Sequence, residues 1–162
     1  MVDAYQDITI PFQMASKEFF TLVKDHLTDD GVMVVNMNMR GSKEGSINDY
    51  LADTISSVFS EVYTTDVIFS TNRELFASNN SEMLDLFIDG FNKEADSDLN
   101  EMMSQINEQM LKYNPGNYLM TDDKAPVELL SMKVIDEIIA DEVSYYKGIY
   151  EKGGIDALLR VL

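Results

Sequence analysis

The sequence predicts an α/β fold, an incomplete doubly wound sheet with a helical C-terminal cap. Three patterns lead to this prediction. A strand, a helix and a second strand follow one another with short links over residues 1–39, two β-rich runs occupy residues 62–77, and helical periodicity dominates from Ser81 onward. Strand–helix–strand units with short links almost always form right-handed crossovers in one parallel sheet. The expected sheet therefore contains a parallel pair of strands and an antiparallel hairpin.

The first half of the parallel pair is predicted at the N-terminus. Met1–Tyr5 is a short apolar run that reads as the end of a buried strand, and a loop around Pro11 follows. Ser16 is a good N-cap for a helix over Lys17–Leu27, where apolar residues recur with helical spacing. Gly31–Met39 (GVMVVNMNM) is apolar on both faces at its start, as a central parallel strand should be.

A second helix and the hairpin complete the predicted sheet domain. The helix spans Ser46 to Ser60, with Ser46 and Asp49 placed as a capping pair. The β-rich runs Val62–Phe69 and Glu74–Ala77 are separated by a polar turn, which predicts an antiparallel hairpin.

The remaining residues are predicted to form a helical cap. Ser81–Ala95 and Asp98–Tyr113 are amphipathic, and Pro126 suits the first turn of a helix that runs to about Tyr146. Gly153 and Gly154 are expected to separate a last short helix, Ile155–Leu162. We therefore expect residues 1–80 to form a partial sheet domain and residues 81–162 to form an extension that packs on it.

The charge balance restricts the possible partners. The chain has 12 Lys and Arg against 29 Asp and Glu, a formal net charge of −17. Such a surface repels phosphate backbones and anionic lipids, so neither nucleic acid nor a membrane is expected as a partner. It is compatible with a cationic substrate such as a polyamine, although a solvated acidic surface explains it equally well.

Residue content excludes further classes of site. There is no Cys and one His, so the sequence predicts no disulfide framework, no thiolate or His-rich metal site and no metal-binding residues. No apolar run reaches the roughly 18 residues of a membrane span, and the N-terminus has no signal-peptide pattern. The expected location is therefore the cytoplasm. The acids Asp122, Asp123 and Glu128 could bind a cation, but an N-terminal cap followed by first-turn acids explains them better.

One expected feature of a nucleotide-binding α/β domain is missing. Such domains begin with a strand, a glycine-rich turn and a helix whose N-terminus faces the cofactor. The glycines of Gly41–Gly45 (GSKEG) follow the wrong strand and are interpreted as a loop. The sequence therefore predicts no cofactor-binding residues and no cofactor for this chain alone.

Several segments, in order, resemble the middle and C-terminal parts of spermidine-synthase-like proteins, the aminopropyltransferase family. The resemblance covers about residues 1–78 and 118–143. The matching segments are Val2–Tyr5 (VDAY), Ile10–Phe12 (IPF), Lys17–Phe20 (KEFF), Gly31–Asn36 (GVMVVN) and Leu119–Glu128 (LMTDDKAPVE).

This resemblance implies a Rossmann-like fold of the class I methyltransferase type, with the first three strands and the cofactor loop absent. Family members move an aminopropyl group from decarboxylated S-adenosylmethionine onto putrescine, and an Asp after the fourth strand deprotonates the attacking amine. Asp3 matches that position and is the candidate general base. The family's second Asp is replaced by Gln6, with Asp7 adjacent. Tyr5, Gln6 and Asp7 are candidate substrate-binding residues, and packing explains Tyr5 and Gln6 equally well.

Two functional hypotheses follow. In the first, the chain lacks the cofactor-binding half and is inactive alone. The strand ending at Asp3 would then have an unpaired edge, which invites a homodimer or a complex with an N-terminal half chain. S-adenosylmethionine or its decarboxylated form would bind only when that half is supplied.

The alternative is an active aminopropyltransferase or methyltransferase that acts on a polyamine or another small cationic substrate. A third possibility is that these residues are an excised domain or the product of a truncated reading frame.

Overall fold

The computed structural model describes residues 1, 10–37, 44–67, 70 and 72–161. In this part of the chain, one four-stranded sheet lies between helices. The helices are α1 (Lys17–Asp25), α2 (Ile47–Ser56), α3 (Met83–Asn92), α4 (Ser97–Gln109) and α5 (Val127–Leu158), and a short 3-10 turn spans Phe12–Met14. The strands are β1 (Met33–Met37), β2 (Glu61–Asp66), β3 (Arg73–Ser78) and β4 (Leu111–Lys112).

The sheet has the strand order β1-β3-β2-β4, and every described pairing is antiparallel. The predicted hairpin is confirmed as β2 and β3, with Thr64 opposite Leu75. The predicted parallel pair is not supported, because the described neighbour of β1 is β3, which pairs with it antiparallel and sets Leu75 opposite Val35. The first predicted strand, Met1–Tyr5, lies outside the described residues except for Met1. Residue patterns show that β1 is buried, but not which strand lies beside it or in which direction.

Successive side chains along each strand point to opposite sides, so the sheet has two distinct faces. The core face carries Met33, Val35, Leu75 and Ala77, none more than 2% exposed. It packs against apolar residues of α1, α2 and the start of α5; these include Phe20, Leu51, Ile55, Val127, Leu130 and Val134. The opposite face carries Phe76, beside which α3 and α4 lie.

Both predicted N-caps are confirmed. The Ser16 hydroxyl accepts a hydrogen bond from the Phe19 amide at the start of α1. Ser46 and Asp49 form a reciprocal capping box on α2, in which each side chain accepts from the other residue's backbone amide. Each cap satisfies amides that the helix itself leaves without partners.

The C-terminal half differs from the prediction at the end of α4 and agrees with it near Gly154. The helix predicted over Asp98–Tyr113 ends at Gln109, and Leu111–Lys112 instead pairs with β2 as a fourth strand. The predicted break at Gly153 and Gly154 is confirmed: Gly154 has a φ of 65° and a ψ of −163°, outside the helical region, so two helices meet there across a kink, and the second ends at Leu158. Positive φ is readily available to glycine, so this position interrupts the helix without strain. In the part of the chain that the structure describes, no helix combines the length and apolar character needed to cross a bilayer.

Candidate functional site

The residues predicted to act on a substrate, Asp3, Tyr5, Gln6 and Asp7, lie outside the described residues. The structure does show how the segment immediately after them is held. Ile10 is 3% exposed and belongs to the core cluster. The predicted site residues therefore precede this core residue by three to seven positions in the sequence.

The start of α1 is anchored to a distant loop. The Lys17 amide donates to the Met120 carbonyl at 2.9 Å. The Ser16 hydroxyl donates to the Asp122 carboxylate, and the Asp122 amide donates to the Glu18 carboxylate. The prediction of Asp122 as part of the cap of the last long helix is therefore wrong, since α5 begins at Val127 without a side-chain cap. Asp122 instead ties its loop to the helix that follows the predicted site.

A cluster of acids and tyrosines lies on α2 and on the loop that packs against it. We call it the acid–tyrosine cluster; its members are Asp49, Tyr50 and Asp53 of α2, Tyr113 and Tyr118 of the loop, and Glu44, which precedes α2. The rings of Tyr50 and Tyr118 stack with a centroid separation of 4.5 Å. Gly45, with a φ of 78°, would place a Cβ 3.3 Å from the Tyr118 hydroxyl, so this turn favours glycine for both conformation and space.

Asp53 is the centre of this cluster. It is 5% exposed and accepts three hydrogen bonds, from the Tyr113 hydroxyl at 2.7 Å and from the Gly116 and Tyr118 amides at 2.8 Å each. A Cβ on Gly116 would lie 2.8 Å from an Asp53 carboxylate oxygen, too close for any larger residue. A buried carboxylate requires such partners, because an unsatisfied charge away from water is costly.

The environment of the cluster raises the pKa of two of its tyrosines. Burial, reinforced by the hydrogen bond to Asp53, raises the pKa of Tyr113 well above its ordinary value. Loss of hydration and then the negative charge of Glu44 raise the pKa of Tyr118. Both phenols are therefore neutral at physiological pH and can donate hydrogen bonds but cannot act as bases there.

The acid–tyrosine cluster has a structural role. Asp49 is used by its capping box and Asp53 by three donors, so neither carboxylate is available as a general base. Among the described residues, no group of three His, Cys, Asp or Glu side chains could hold a metal ion. The acid–tyrosine cluster thus fixes the loop of residues 113–118 on α2.

Sequence reasoning missed this cluster, although two signals were present. Asp53 lies within Leu51–Ile55 (LADTI), where a single carboxylate among apolar residues on a buried helix face indicates a partner elsewhere. The segment Tyr113–Tyr118 (YNPGNY) has the turn residues that bring backbone amides close together. Neither segment indicates by itself that it pairs with the other.

A separate apolar cavity of about 260 Å³ lies between the sheet and α3. Phe76 of β3 and Met83 and Phe87 of α3 form much of its wall, and Asp30 is its charged member. One carboxylate does not provide an acid–base pair, so this cavity offers no catalytic arrangement.

Comparison with known proteins identifies a relative. The chain is 46% identical to a "Probable polyamine aminopropyl transferase" of Bifidobacterium longum (strain NCC 2705) over an alignment of 179 positions, which includes all of this chain and 40% of the relative. No family model and no solved structure matches the chain. The chain thus spans less than half the length of this relative, as a C-terminal segment of such a protein would. The resemblance inferred from the residues is confirmed: along its whole length, this chain is a relative of the spermidine-synthase-like polyamine aminopropyl transferases and corresponds to part of such a protein.

Proposed function

We propose that this chain contributes the amine-activating part of an aminopropyl-transfer site, and that residues outside the printed sequence contribute the cofactor-binding part. The supporting observation is the 46% identity of the whole chain to 40% of a probable polyamine aminopropyl transferase. The remaining share of the relative has no counterpart here, so this segment alone is not expected to carry the complete activity.

The starts of α1 and α2 do not fit the cofactor, decarboxylated S-adenosylmethionine. The N-termini of α1 and α2 are occupied by the chain's own Ser16 and by the Ser46–Asp49 capping box. A bound nucleoside would have to displace these contacts to use either helix end. The glycines of residues 41–45 (GSKEG) lie in the sequence between β1 and α2, but by the family resemblance they follow a later strand than the one that precedes the cofactor loop. We therefore assign cofactor binding to a part supplied on the same polypeptide, by self-association or by a partner chain.

The role that remains for this chain is to prepare the amine. A polyamine nitrogen is protonated at neutral pH and must lose that proton before its lone pair can attack. Asp3, at the position that the family resemblance marks as the base, is proposed to accept the proton. Tyr5, Gln6 and Asp7 are proposed to hold the rest of the substrate. Because an amide replaces the family's second carboxylate at Gln6, the second ammonium group of a diamine is held less strongly unless Asp7 takes over that contact.

The charge of the chain supports a cationic substrate. Its formal net charge of −17 raises the local concentration of polycations near the surface and increases their rate of encounter. This long-range attraction is not specific, so the choice of substrate depends on the site itself.

Calorimetric titration tests the proposal directly. The chain alone is titrated with S-adenosylmethionine and with its decarboxylated form, and the same titrations are repeated after mixing with the remaining part of the Bifidobacterium longum relative. We expect no binding to the chain alone, and binding with aminopropyl transfer to a diamine in the mixture. Saturable binding to the chain alone would overturn the partial-site proposal and favour the self-contained enzyme.

The role of Asp3 is tested in the reconstituted mixture. Asp3→Asn keeps the size of the side chain but removes its basicity, so kcat is expected to fall by roughly 100-fold or more. Asp7→Asn is the matched control, for which we expect a larger change in KM for the amine than in kcat. Equal loss in both variants would show that Asp3 has no special role as the base.

A further inference from the structure

The apolar cavity between the sheet and α3 is large enough for a small organic molecule. Its volume is about 260 Å³, whereas an enclosed apolar cavity of roughly 150 Å³ already binds benzene. Val32 and Leu86, two of its lining residues, are 40% and 50% exposed, so the cavity opens to solvent. The other apolar lining residues are Phe76, Met83, Leu84, Phe87 and Met110. The cavity therefore has room for one aromatic ring or a short alkyl chain, and a path by which it enters.

Asp30, the charged lining residue, is held in place by a chain of hydrogen bonds. Asn80 Nδ2 donates to Asp30 Oδ1 at 2.8 Å, and Asn80 Oδ1 accepts from the Glu82 amide at 2.9 Å. The Asn80 amide donates to the buried Ser78 hydroxyl, which in turn donates to the Gly31 carbonyl at 2.9 Å. The turn before β1 and the turn before α3 are thus tied together, and the Asp30 carboxylate is oriented without any ligand.

The Asp30 carboxylate keeps most of its capacity to accept hydrogen bonds. The residue is exposed, and within the described part of the chain only Asn80 donates to its side chain. A carboxylate has about four lone-pair sites, so others remain for a ligand. A hydrogen bond from an ammonium group to a carboxylate is roughly twice as strong as one between neutral groups. The cavity thus combines apolar walls with one oriented acceptor for a cation.

We propose that this cavity binds a small hydrophobic primary monoamine. Its ring or alkyl chain contacts Phe76, Met83 and Phe87, and its ammonium group donates to Asp30. Small-molecule sites are commonly built in this way, with mostly apolar walls and a small number of polar groups that fix the orientation of the ligand. Methionine side chains adapt to the shape of an apolar ligand and make favourable contacts with aromatic rings.

The monoamine fits this cavity better than other classes of small molecule do. An anionic amphiphile is repelled by Asp30 and by the formal net charge of −17. A linear diamine or polyamine would place a second ammonium group against apolar walls, where no described partner compensates its loss of hydration. A neutral apolar molecule would gain no charge-assisted hydrogen bond from Asp30. The cavity is therefore expected to discriminate against the diamine of the proposed transfer reaction.

Methionine methyl NMR of the full chain locates the ligand. The chain is labelled with ¹³C at the methionine methyl groups and titrated with 2-phenylethylamine; Met83→Leu and Met110→Leu assign the two signals from the cavity. We expect saturable shifts of both signals, with a dissociation constant of about 1 mM or below for a ligand of about nine non-hydrogen atoms. Met132, which is 61% exposed on α5, is the internal control. The absence of saturable shifts at Met83 and Met110 up to about 20 mM, or equal shifts at Met132, overturns the proposal.

Asp30→Asn tests the contact with the ammonium group. The amide oxygen still accepts from Asn80, but the charge is lost, so binding of 2-phenylethylamine is expected to weaken by about three- to tenfold. Asp29→Asn is the matched control, because this neighbouring acid is exposed, does not line the cavity, and its substitution changes the net charge equally. Equal weakening by both substitutions would show attraction to the overall charge alone and overturn the proposal.

The neutral analogue 2-phenylethanol separates a monoamine site from a purely apolar one. We expect it to bind the wild type more weakly than 2-phenylethylamine does, and Asp30→Asn to leave its affinity unchanged. Equal affinity of the wild type for the two ligands would mean that the cavity takes an apolar group of any kind, such as a side chain of another protein, and would overturn the proposal.

Leu84→Phe tests the cavity itself by filling part of it. The larger ring is expected to weaken binding of both ligands at least fivefold, whereas Asp30→Asn affects the amine alone. Leu22→Phe is the matched control, because Leu22 is 59% exposed on α1 and does not line the cavity. Circular dichroism confirms that each variant is folded, and unchanged affinity in a folded Leu84→Phe variant rejects this location for the ligand. None of these measurements involves residues 3–7 or a cofactor, so their outcome is independent of the proposed function.

Discussion

At the scale of single residues, one buried carboxylate organises the loop nearest to α2. Asp53 is almost fully removed from water, and its partners come from residues 60 to 65 positions later in the chain. Two of the three donors are backbone amides, whose positions depend on the turn at Pro115 and Gly116. The Tyr113 hydroxyl is therefore the contact with Asp53 that a conservative substitution can remove.

Tyr113→Phe is expected to lower the free energy of unfolding by about 1 kcal/mol at pH 8, because it removes one hydrogen bond and leaves two donors on Asp53. Alkaline pH should reduce this difference. Burial and the bond to Asp53 raise the pKa of Tyr113 in the folded state. Above about pH 10 the unfolded phenol ionises while the folded one keeps its proton, so the folded state binds more protons and stability falls with pH.

Urea unfolding from pH 8 to 11 measures this effect. The stability of the wild type should fall more steeply than that of Tyr113→Phe, with a difference in slope that approaches about 1.4 kcal/mol per pH unit. Tyr145→Phe is the matched control, since Tyr145 is 61% exposed and loses the same hydroxyl. Identical alkaline slopes in all three proteins would contradict the assignment of this effect to Tyr113.

At the scale of elements, the sequence predicted local features better than pairings. Caps at Ser16 and Ser46 were predictable because each depends on residues within one helical turn. The direction of β1 relative to its neighbour was not, since the hairpin places β3 beside it through a contact about 40 residues away. The short strand Leu111–Lys112 was missed because the helical pattern of α4 runs directly into it.

For the candidate site, too, the sequence predicted local features but not long-range contacts. Motif similarity identified the family from segments of a few residues each, and the relative confirms it. Asp53, Tyr113 and Tyr118 come together only through long-range folding, and no local pattern specifies their partners. The assignments of Asp3, Tyr5, Gln6 and Asp7 remain predictions.

Two glycines in α5 have opposite conformational requirements. An added Cβ at Gly148 would meet no atom within 4 Å, and the residue lies inside regular helix. Gly148→Ala is therefore expected to stabilise α5 around residue 148 by about 0.5–1 kcal/mol. Amide hydrogen exchange near residue 148 should slow by about two- to fivefold, measured by mass spectrometry of peptides from this segment.

Gly154→Ala is the control within the same helix. Gly154 has a φ of 65°, which alanine adopts only with strain, so this substitution should destabilise the kink and speed local exchange. Slower exchange in both variants would mean that α5 is straight through Gly154 in solution.

At the scale of the whole molecule, charge repulsion opposes the compact state. With 29 acidic and 12 basic residues, 17 acids have no base to pair with one-to-one. At about 10 mM salt the Debye length of roughly 30 Å spans a domain of this size, whereas at about 0.2 M salt it falls below 10 Å. Repulsion among the acids therefore acts across the whole fold only at low salt.

Raising NaCl from about 10 to 200 mM is accordingly expected to increase Tm by several degrees. Screening by salt weakens the repulsion among the acids, and this repulsion is stronger in the compact folded state than in the expanded unfolded state. Choline chloride at the same ionic strength should give the same increase if screening is the cause. A rise with sodium alone would instead indicate a specific cation site. A Tm that does not change with either salt would show that the acids are too far apart to repel one another, and the charge of the chain would then act on approaching cations rather than on its own stability.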